Sequence, residues 1–268
     1  MVVVITGGSA GIGRATAERL ARNGASVVIT ARRAELLADV AAGIMREGGK
    51  VLPIPADVTD AAAMASVVDA TVSEFGRIDV MVCNAGIGFH GRLADTPAEA
   101  AEQLVRINLV GTIHAARAAA VAFHRQGAGH LIAVSSVVGL RGVPGGSVYS
   151  ATKAAQKAFI ESVRSEWRGT NLHASVVFPI STRTEFRAAM ARDFGQAVEG
   201  LGPRQDPDRV AAAIERCIQS PRAEVYPYWP TWWLGFANTL APSVVDRVMQ
   251  RFERRRKPVV PAPADRGL

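Results

Sequence analysis

Tyr149 and Lys153 stand four residues apart in Tyr149-Ser150-Ala151-Thr152-Lys153, at the start of a segment with helical apolar spacing. Positions i and i+4 of a helix share a face, so the phenol and the ammonium are neighbours. A phenol with its ordinary pKa of ~10 exchanges protons poorly at neutral pH. A nearby cation favours the phenolate, each unit of lowering being worth about 1.4 kcal/mol, and general acids and bases work best when tuned toward the operating pH. Shortly before Tyr149, Ser135-Ser136 ends an apolar run that reads as a strand. The loop that follows can deliver a hydroxyl to a carbonyl oxygen that Tyr149 protonates.

A second set of residues suits a phosphate. The first apolar run, Val2 to Thr6, leads into Thr6-Gly7-Gly8-Ser9-Ala10-Gly11-Ile12-Gly13, which opens a helical pattern. Gly7, Gly11 and Gly13 permit a tight turn, close approach of backbone N–H groups to a pyrophosphate and close helix-on-sheet packing, and the helix N-terminus favours negative charge. The residues ending the second run then bear on which dinucleotide fits. A site for NAD usually places Asp or Glu there to accept from the ribose hydroxyls; this chain reads Thr30-Ala31-Arg32-Arg33, with no acid before Glu35. A guanidinium clamps a 2′-phosphate that a carboxylate would repel, so Arg32 with Arg33 predicts NADP(H). Arg33 also suits an ordinary solvated helix start. Asp57, after the third run, suits either an adenine edge or a helix cap.

These groups need a scaffold that brings distant loops to one edge. Short apolar runs at Val2–Thr6, Ser26–Thr30, Val51–Pro55, Ile78–Cys83, His130–Ser135, Ala174–Phe178 and Glu224–Tyr226 alternate with helical patterns. Those helices are expected over Gly13–Arg22, Ala34–Glu47, Ala61–Phe75, Ala98–His124, Val148–Arg168 and Asp208–Gln219. Gly24 and Gly48 suit left-handed helix ends, and Asp206-Pro207 an N-cap followed by a first-turn proline. Apolar runs without alternation imply an α/β fold: a doubly wound parallel sheet of the Rossmann type, about seven strands with helices on both faces.

The chain has 268 residues and a formal net charge of +7, from 31 Lys+Arg against 24 Asp+Glu. With 21% charged and 49% hydrophobic residues, whole-chain disorder is excluded. Seven basic and three acidic residues lie between Ser243 and Leu268, so +4 of the +7 belongs to that end and +3 to the preceding residues. The run Arg254-Arg255-Arg256-Lys257 carries no reading motif, so no nucleic-acid partner is expected. Cys83 and Cys217, alone and far apart, fit neither a disulfide framework nor a metal or redox pair and suit a cytoplasmic setting. The five histidines, at 90, 114, 124, 130 and 173, show no ligand spacing, so no metal is expected. The first residues read as a buried strand, not a signal peptide, and no run reaches the ~18–20 apolar residues of a spanning helix.

The chain resembles the short-chain dehydrogenase/reductase family in its compact single-domain form. The resemblance covers about residues 1–227 and rests on Thr6–Gly13, Asp57-Val58, Asn84-Ala85-Gly86, Asn108, Ser136 and Tyr149 with Lys153. It implies an oxidoreductase acting on a carbonyl or secondary alcohol, with Tyr149 as acid/base and Lys153 on the nicotinamide ribose, lowering the tyrosine pKa. Ser136 would orient substrate; it is preferred to Ser135 for its thirteen-residue spacing to Tyr149. Asn108 would support a water-linked proton relay. The resemblance places Gly7, Ser9, Gly11, Ile12, Gly13, Asp57, Val58, Asn84, Ala85, Gly86, Pro179 and Thr184 around the dinucleotide, Thr184 at its carboxamide. It also implies a homodimer or homotetramer through the long helices. The chain departs from the family pattern at Cys83, where Asn is usual, and at Ile180, where Gly usually follows Pro179.

Phe186, Met190 and Phe194, ahead of the Gly-rich residues 195–203, suit an apolar lid or a packed helix face, and the low density of fixed charge nearby favours a hydrophobic small-molecule substrate. Residues 228–257 form an aromatic and basic extension, with Trp229, Trp232 and Trp233 ahead of an amphipathic helix begun by Ser243. It suits peripheral docking at a membrane surface, and equally packing on the body or a second subunit. Residues 258–268, with Pro258, Pro261 and Pro263, read as a disordered tail. A non-catalytic NADP(H)-binding sensor or scaffold would need the phosphate loop but not Ser136, Tyr149 and Lys153. A nucleotide-binding methyltransferase shares the strand, Gly loop and helix without needing the Tyr/Lys pair.

Overall fold

The computed structural model describes residues 1–194 and 204–253. Seven strands form one sheet: β1 (Val2–Thr6), β2 (Ser26–Ala31), β3 (Lys50–Pro55), β4 (Val80–Cys83), β5 (Gly129–Val134), β6 (Leu172–Val177) and β7 (Glu224–Val225). Their order is β3-β2-β1-β4-β5-β6-β7, and every neighbouring pair is parallel. The helices are α1 (Gly11–Arg22), α2 (Ala34–Arg46), α3 (Ala61–Phe75), α4 (Ala98–Leu104), α5 (Gly111–Gln126), α6 (Ser147–Glu166), α7 (Phe186–Phe194), α8 (Pro207–Gln219), α9 (Trp232–Leu240) and α10 (Pro242–Glu253). The expected α/β class and doubly wound Rossmann arrangement are present. Strand order reverses between β1 and β4, and in such sheets the crevice beyond the strand C-termini at that point binds ligands.

The apolar runs do not alternate because both faces of the sheet are covered. Val3 and Ile5 of β1 face a core shared with Leu20 of α1, Leu37 and Ile44 of α2 and Ile214 of α8. Val4, pointing the other way, joins Met64 of α3, Phe123 of α5 and Ile160 of α6. Helices α1 and α8 are further joined by Glu215, 7% exposed, which accepts from Arg19 Nε at 2.6 Å and from the Asn23 side chain. Gly24 and Gly48 take left-handed φ of 86° and 80° after their helices, and Asp206 caps α8 ahead of Pro207.

Several expected boundaries move by a residue or two, and two of the changes have a visible form. The single helix foreseen over Ala98–His124 is broken by a π turn, Val105–Val110, between α4 and α5. The run expected from Ile78 becomes a strand only at Val80, because the Gln126 side chain takes both backbone groups of Ile78, accepting its N–H at 3.0 Å and donating to its carbonyl at 2.7 Å. Helix α7 starts at Phe186, whose N–H is accepted by the Thr184 hydroxyl at 3.3 Å. The Gly-rich residues 195–203 and the end of the chain from Arg254 lie outside the described residues, as do the side chains of Met249 and Phe252.

Candidate active site

The glycine loop closes because three of its glycines have no room for a side chain. Gly7 and Gly11 adopt φ of 68° and 56°. A Cβ on Gly13 would overlap the Gly7 carbonyl oxygen, and one on Gly8 would stand 2.7 Å from Ile29 Cβ. Gly8 was not singled out by spacing; its signal is the β-branched strand residue beneath it. Asn84, at the end of β4, fastens the loop from the other side of the switch point. Its Nδ2 donates to the Thr6 and Gly7 carbonyls at 3.0 and 3.2 Å, while Thr6 Oγ1 accepts from the N–H groups of Asn84 and Ala85 at 3.0 and 3.1 Å. Helix α1 begins behind Ala10, with no side-chain cap and no acidic residue in its first turn. Its leading N–H groups therefore face the crevice without a competing carboxylate.

The rim of that crevice follows from the neighbouring loops. The Thr184 side chain lies 3.1 Å from where a Gly11 Cβ would sit, and a cavity of about 760 Å³ opens there between Gly11, Arg14, Thr182, Arg183, Thr184 and Arg187. Ser9 is buried and Ile12 packs on the α1 side of the sheet. Arg32 and Arg33, past the end of β2, are exposed and make no side-chain hydrogen bond or ion pair among the described residues. Asp57 is not the cap of α3: Asp60 is, accepting from Ala62 and Ala63 N–H, whereas Asp57 accepts only from Thr59 N–H at 2.9 Å. The capping alternative for Asp57 is therefore replaced. Val58 is buried against Gly111. Pro179 accepts the Val137 N–H at 3.1 Å. No described residue other than glycine has a positive φ, so Ile180, where the family has Gly, sits without backbone strain.

Tyr149 and Lys153 lie on the first turns of α6, the Lys153 Nζ 5.8 Å from the Tyr149 ring centroid. The two serines of the β5 loop divide their work. Ser135 Oγ donates to the Lys153 carbonyl at 2.8 Å and so ties α6 to the sheet, while Ser136 starts the 3₁₀ turn Val137–Gly139 and hydrogen-bonds the Tyr149 phenol. Burial of the phenol pushes its pKa above the ordinary tyrosine range, and the Ser136 hydrogen bond opposes that rise. The lowering expected from Lys153 is not what the protein chain alone provides. The lysine is itself 4% exposed, and burial brings it down to about 7. Its Nζ donates to the Val134 carbonyl at 3.0 Å and to Gln156 Oε1 at 3.1 Å.

Asn108 sits in the π turn with no exposed surface. Its Oδ1 accepts the Ile87 N–H at 2.8 Å, and its Nδ2 donates to the Ile87 carbonyl at 3.0 Å and to Thr152 Oγ1 at 3.1 Å. It thereby straps the Asn84-Ala85-Gly86 loop to the tyrosine helix. Gln156, which no motif singled out, completes the arrangement: its Nε2 donates to the Asn108 carbonyl at 2.7 Å and to Thr112 Oγ1 at 2.8 Å while its Oε1 receives Lys153. The available signal was a polar residue one turn beyond Lys153 on the inward face of α6.

An apolar wall faces this group. Phe186 lies 5.9 Å from Tyr149 between ring centroids, Phe194 packs edge-on to Phe89 at 5.3 Å, and buried Met190 with Phe186 presses on Gly88. The residues expected to form a lid or a packed face therefore pack beside Tyr149. Among the described residues no cluster of His, Cys, Asp and Glu could hold a metal. Buried His130 has its Nε2 2.8 Å from Ser175 Oγ, behind the sheet ends that carry the site.

Comparisons with known proteins agree with this geometry. Residues 1–194 match the family described as short chain dehydrogenase. An uncharacterized oxidoreductase of Listeria innocua is 34% identical over 225 residues, 82% of this chain and 91% of its own. A short chain dehydrogenase of Burkholderia cenocepacia, solved with NADP, is 30% identical with a TM-score of 0.72, covering 84% of this chain and 94% of that one. A short chain dehydrogenase/reductase of Burkholderia phymatum, solved with NAD, shares the fold at a TM-score of 0.80 and 23% identity, covering 97% and 96%. A glycine-lined crevice, a Ser–Tyr–Lys group at its edge and these relatives together make the chain a member of the short chain dehydrogenase family of oxidoreductases.

Proposed function

We propose that the chain uses NADP(H) to interconvert a carbonyl and a secondary alcohol on a hydrophobic small molecule, with Tyr149 exchanging the proton. The single observation that carries this reading is the convergence of Tyr149, Ser136 and Lys153 beside a crevice whose floor has no room for a Cβ. The residues fit a dinucleotide. The uncapped start of α1 offers N–H groups to its phosphates, and Arg32 and Arg33 offer unpaired guanidinium groups where a 2′-phosphate would lie. Related structures hold NAD in one case and NADP in another, so the cofactor preference rests on the two arginines and the absent acid.

When bound, the nicotinamide supplies or accepts the hydride. In the reducing direction Tyr149 Oη gives its proton to the substrate oxygen as the carbonyl carbon gains the hydride, so C=O becomes CH–OH and a phenolate remains. Ser136 Oγ holds the same oxygen and, through its hydrogen bond to the phenol, favours the phenolate. Lys153, held near 7, carries substantial positive charge at neutral pH, and its ammonium offsets the new negative charge nearby. The strap through Asn108 and Gln156 keeps Lys153 and the Ala85-Gly86 loop in register. Phe89, Phe186 and Met190 exclude water from the reacting face and select apolar substrates. Association into a dimer or tetramer through the α4–α5 segment and α6 belongs to the same reading; Val105 and Val121 there are 41% and 48% exposed.

Two substitutions test it in a panel of ketones followed by loss of NADPH absorbance. Tyr149→Phe should lower kcat/KM by about 10²–10⁴-fold while leaving NADPH binding intact. Arg32→Asp should lower the NADPH-to-NADH preference by about a hundredfold, near 3 kcal/mol, by replacing a charge-assisted bond with repulsion. Full activity in the first or an unchanged preference in the second would overturn the corresponding half of the reading.

A further inference from the structure

Beyond β7 the chain forms a 3₁₀ turn, Trp229–Thr231, and then α9 and α10, whose outer surface is unusual for a water-facing one. Trp229, Trp232, Trp233, Phe236, Leu240 and Val244 are 68%, 48%, 53%, 50%, 69% and 50% exposed, and α9 carries no charged residue. The aromatic rings brace one another: Trp232 meets Trp233 edge-on at 4.7 Å and stacks on Phe236 at 6.1 Å. This face is held to the catalytic loop. Asp246 of α10 pairs with Arg141, and Gly235 of α9 faces Leu140, both partners lying just beyond the turn that Ser136 starts.

A contiguous exposed apolar surface of this kind marks an interaction site, and its charge identifies the occupant. The residues from Ser243 onward carry seven basic against three acidic side chains, four of the basic ones consecutive directly after α10. A second copy docked about a two-fold axis would bring two such cationic segments to one seam. An anionic bilayer suits both features, taking Trp and Phe at headgroup depth and drawing the cations to lipid phosphate. No helix among the described residues is long and apolar enough to cross a membrane, so the contact is peripheral. We infer that the α9–α10 face docks on an anionic lipid surface. Docking holds the Ser136 loop beside the bilayer, which suits a lipid-soluble substrate for the wall of Phe89, Phe186 and Met190; that last clause alone rests on the catalytic reading.

The test is flotation of the full chain with phosphatidylcholine vesicles, with and without phosphatidylglycerol, at low and high salt. Binding is expected to the anionic vesicles at low salt and to fall with salt. Trp232→Ser with Trp233→Ser should reduce the partition coefficient at least tenfold at an unchanged unfolding temperature. Replacing Arg254, Arg255 and Arg256 by Gln should reduce it by about fivefold per charge removed. Should the tryptophan pair prove necessary for folding, Leu240→Asp, at the most exposed large apolar side chain of α9, should show the same loss. Absence of binding to anionic vesicles, wild-type binding in the aromatic and Leu240 variants, or a dimer that the tryptophan changes dissolve without any vesicle binding would each overturn the inference. Flotation needs neither cofactor nor turnover, so its failure and the failure of the hydride-transfer reading are separate results.

Discussion

Gln156 has no exposed surface and holds three elements of the site at once, so its replacement by the near-isosteric Met isolates the polar contacts from the packing. The cost can be worked from the partners left behind. The Asn108 carbonyl keeps the Thr112 hydroxyl at 2.7 Å, Thr112 thereby keeps a partner, and Lys153 keeps the Val134 carbonyl at 3.0 Å. No group is wholly orphaned, so the loss is three buried hydrogen bonds at about 1 kcal/mol each, roughly 3 kcal/mol in total. At about 2–4 °C per kcal/mol for a domain of this size, Tm should fall by about 6–12 °C.

The same substitution has a signed effect on Lys153. Gln156 Oε1 accepts from the ammonium, so removing it favours the neutral amine and takes the lysine below its value of about 7. If the charged form supports catalysis, the alkaline limb of kcat/KM, which reports the free enzyme, moves to lower pH in Gln156→Met. Gln156→Glu places a carboxylate beside the amine and should move that limb to higher pH, although it loses the donations to Asn108 and Thr112 and is also less stable. Thermal unfolding and pH–rate profiles on the two variants check both parts. A Tm within about 2 °C of wild type, or limbs that stay together in Met and Glu, would refute the assignment of Gln156 as a positioning residue for Lys153.

Two further outcomes follow from burial and close contact. His130 is held down to about 3, by burial first and the neighbouring His173 second, so between 6.5 and 3 the unfolded chain binds a proton that the folded chain refuses. Stability should therefore decline as pH falls through that window, by as much as about 5 kcal/mol, and level off below it. His130→Gln should flatten the decline in acid denaturation followed by circular dichroism, and an equally steep decline in the variant would count against the origin proposed. Gly13→Ala, with its overlap on the Gly7 carbonyl and Asn84, should lose about 2–3 kcal/mol in urea unfolding. Gly43→Ala, inside α2 with open space around it, should gain about 0.5–1 kcal/mol, and matching signs in the pair would contradict the packing described.

The legible parts of this molecule are those in which cause and consequence lie close together in the chain. Apolar runs such as Val27–Ile29 read as buried strands because both faces are covered, and the Gly7, Gly11 and Gly13 pattern carries its own steric reason. Arg32 stands out because it occupies the place where an acid would be informative. The π turn at Val105–Val110 escaped because one extra residue in a turn leaves the apolar pattern of a long helix almost intact. What marks that turn is distant: the Asn108 carbonyl is drawn to Gln156, forty-eight positions on, and its side chain to Ile87, twenty-one positions back. Gln156 itself lies three residues from Lys153, but its other two partners come from the π turn and α5.

The Tyr149/Lys153 pair shows why spacing can locate a chemical group without setting its ionisation. Four residues on a helix bring a phenol and an amine together, and Coulomb attraction alone would then lower the first and raise the second. Burial acts on both in the opposite sense, disfavouring each charged form, and the degree of burial is set by α4, the π turn and the 3₁₀ turn that Ser136 starts, all packed on α6. In the folded chain the desolvation wins for both groups: the phenol is raised and the lysine brought to about 7. At neutral pH the phenol therefore stays protonated while Lys153 is divided between amine and ammonium; in the proposed reaction the ammonium form matters most when a proton leaves Tyr149 for the substrate. The hydrogen bonds that decide how readily the two ionise, from Ser136 to the phenol and from Lys153 to Gln156 and Val134, come from elements that the Tyr-x-x-x-Lys spacing does not contain.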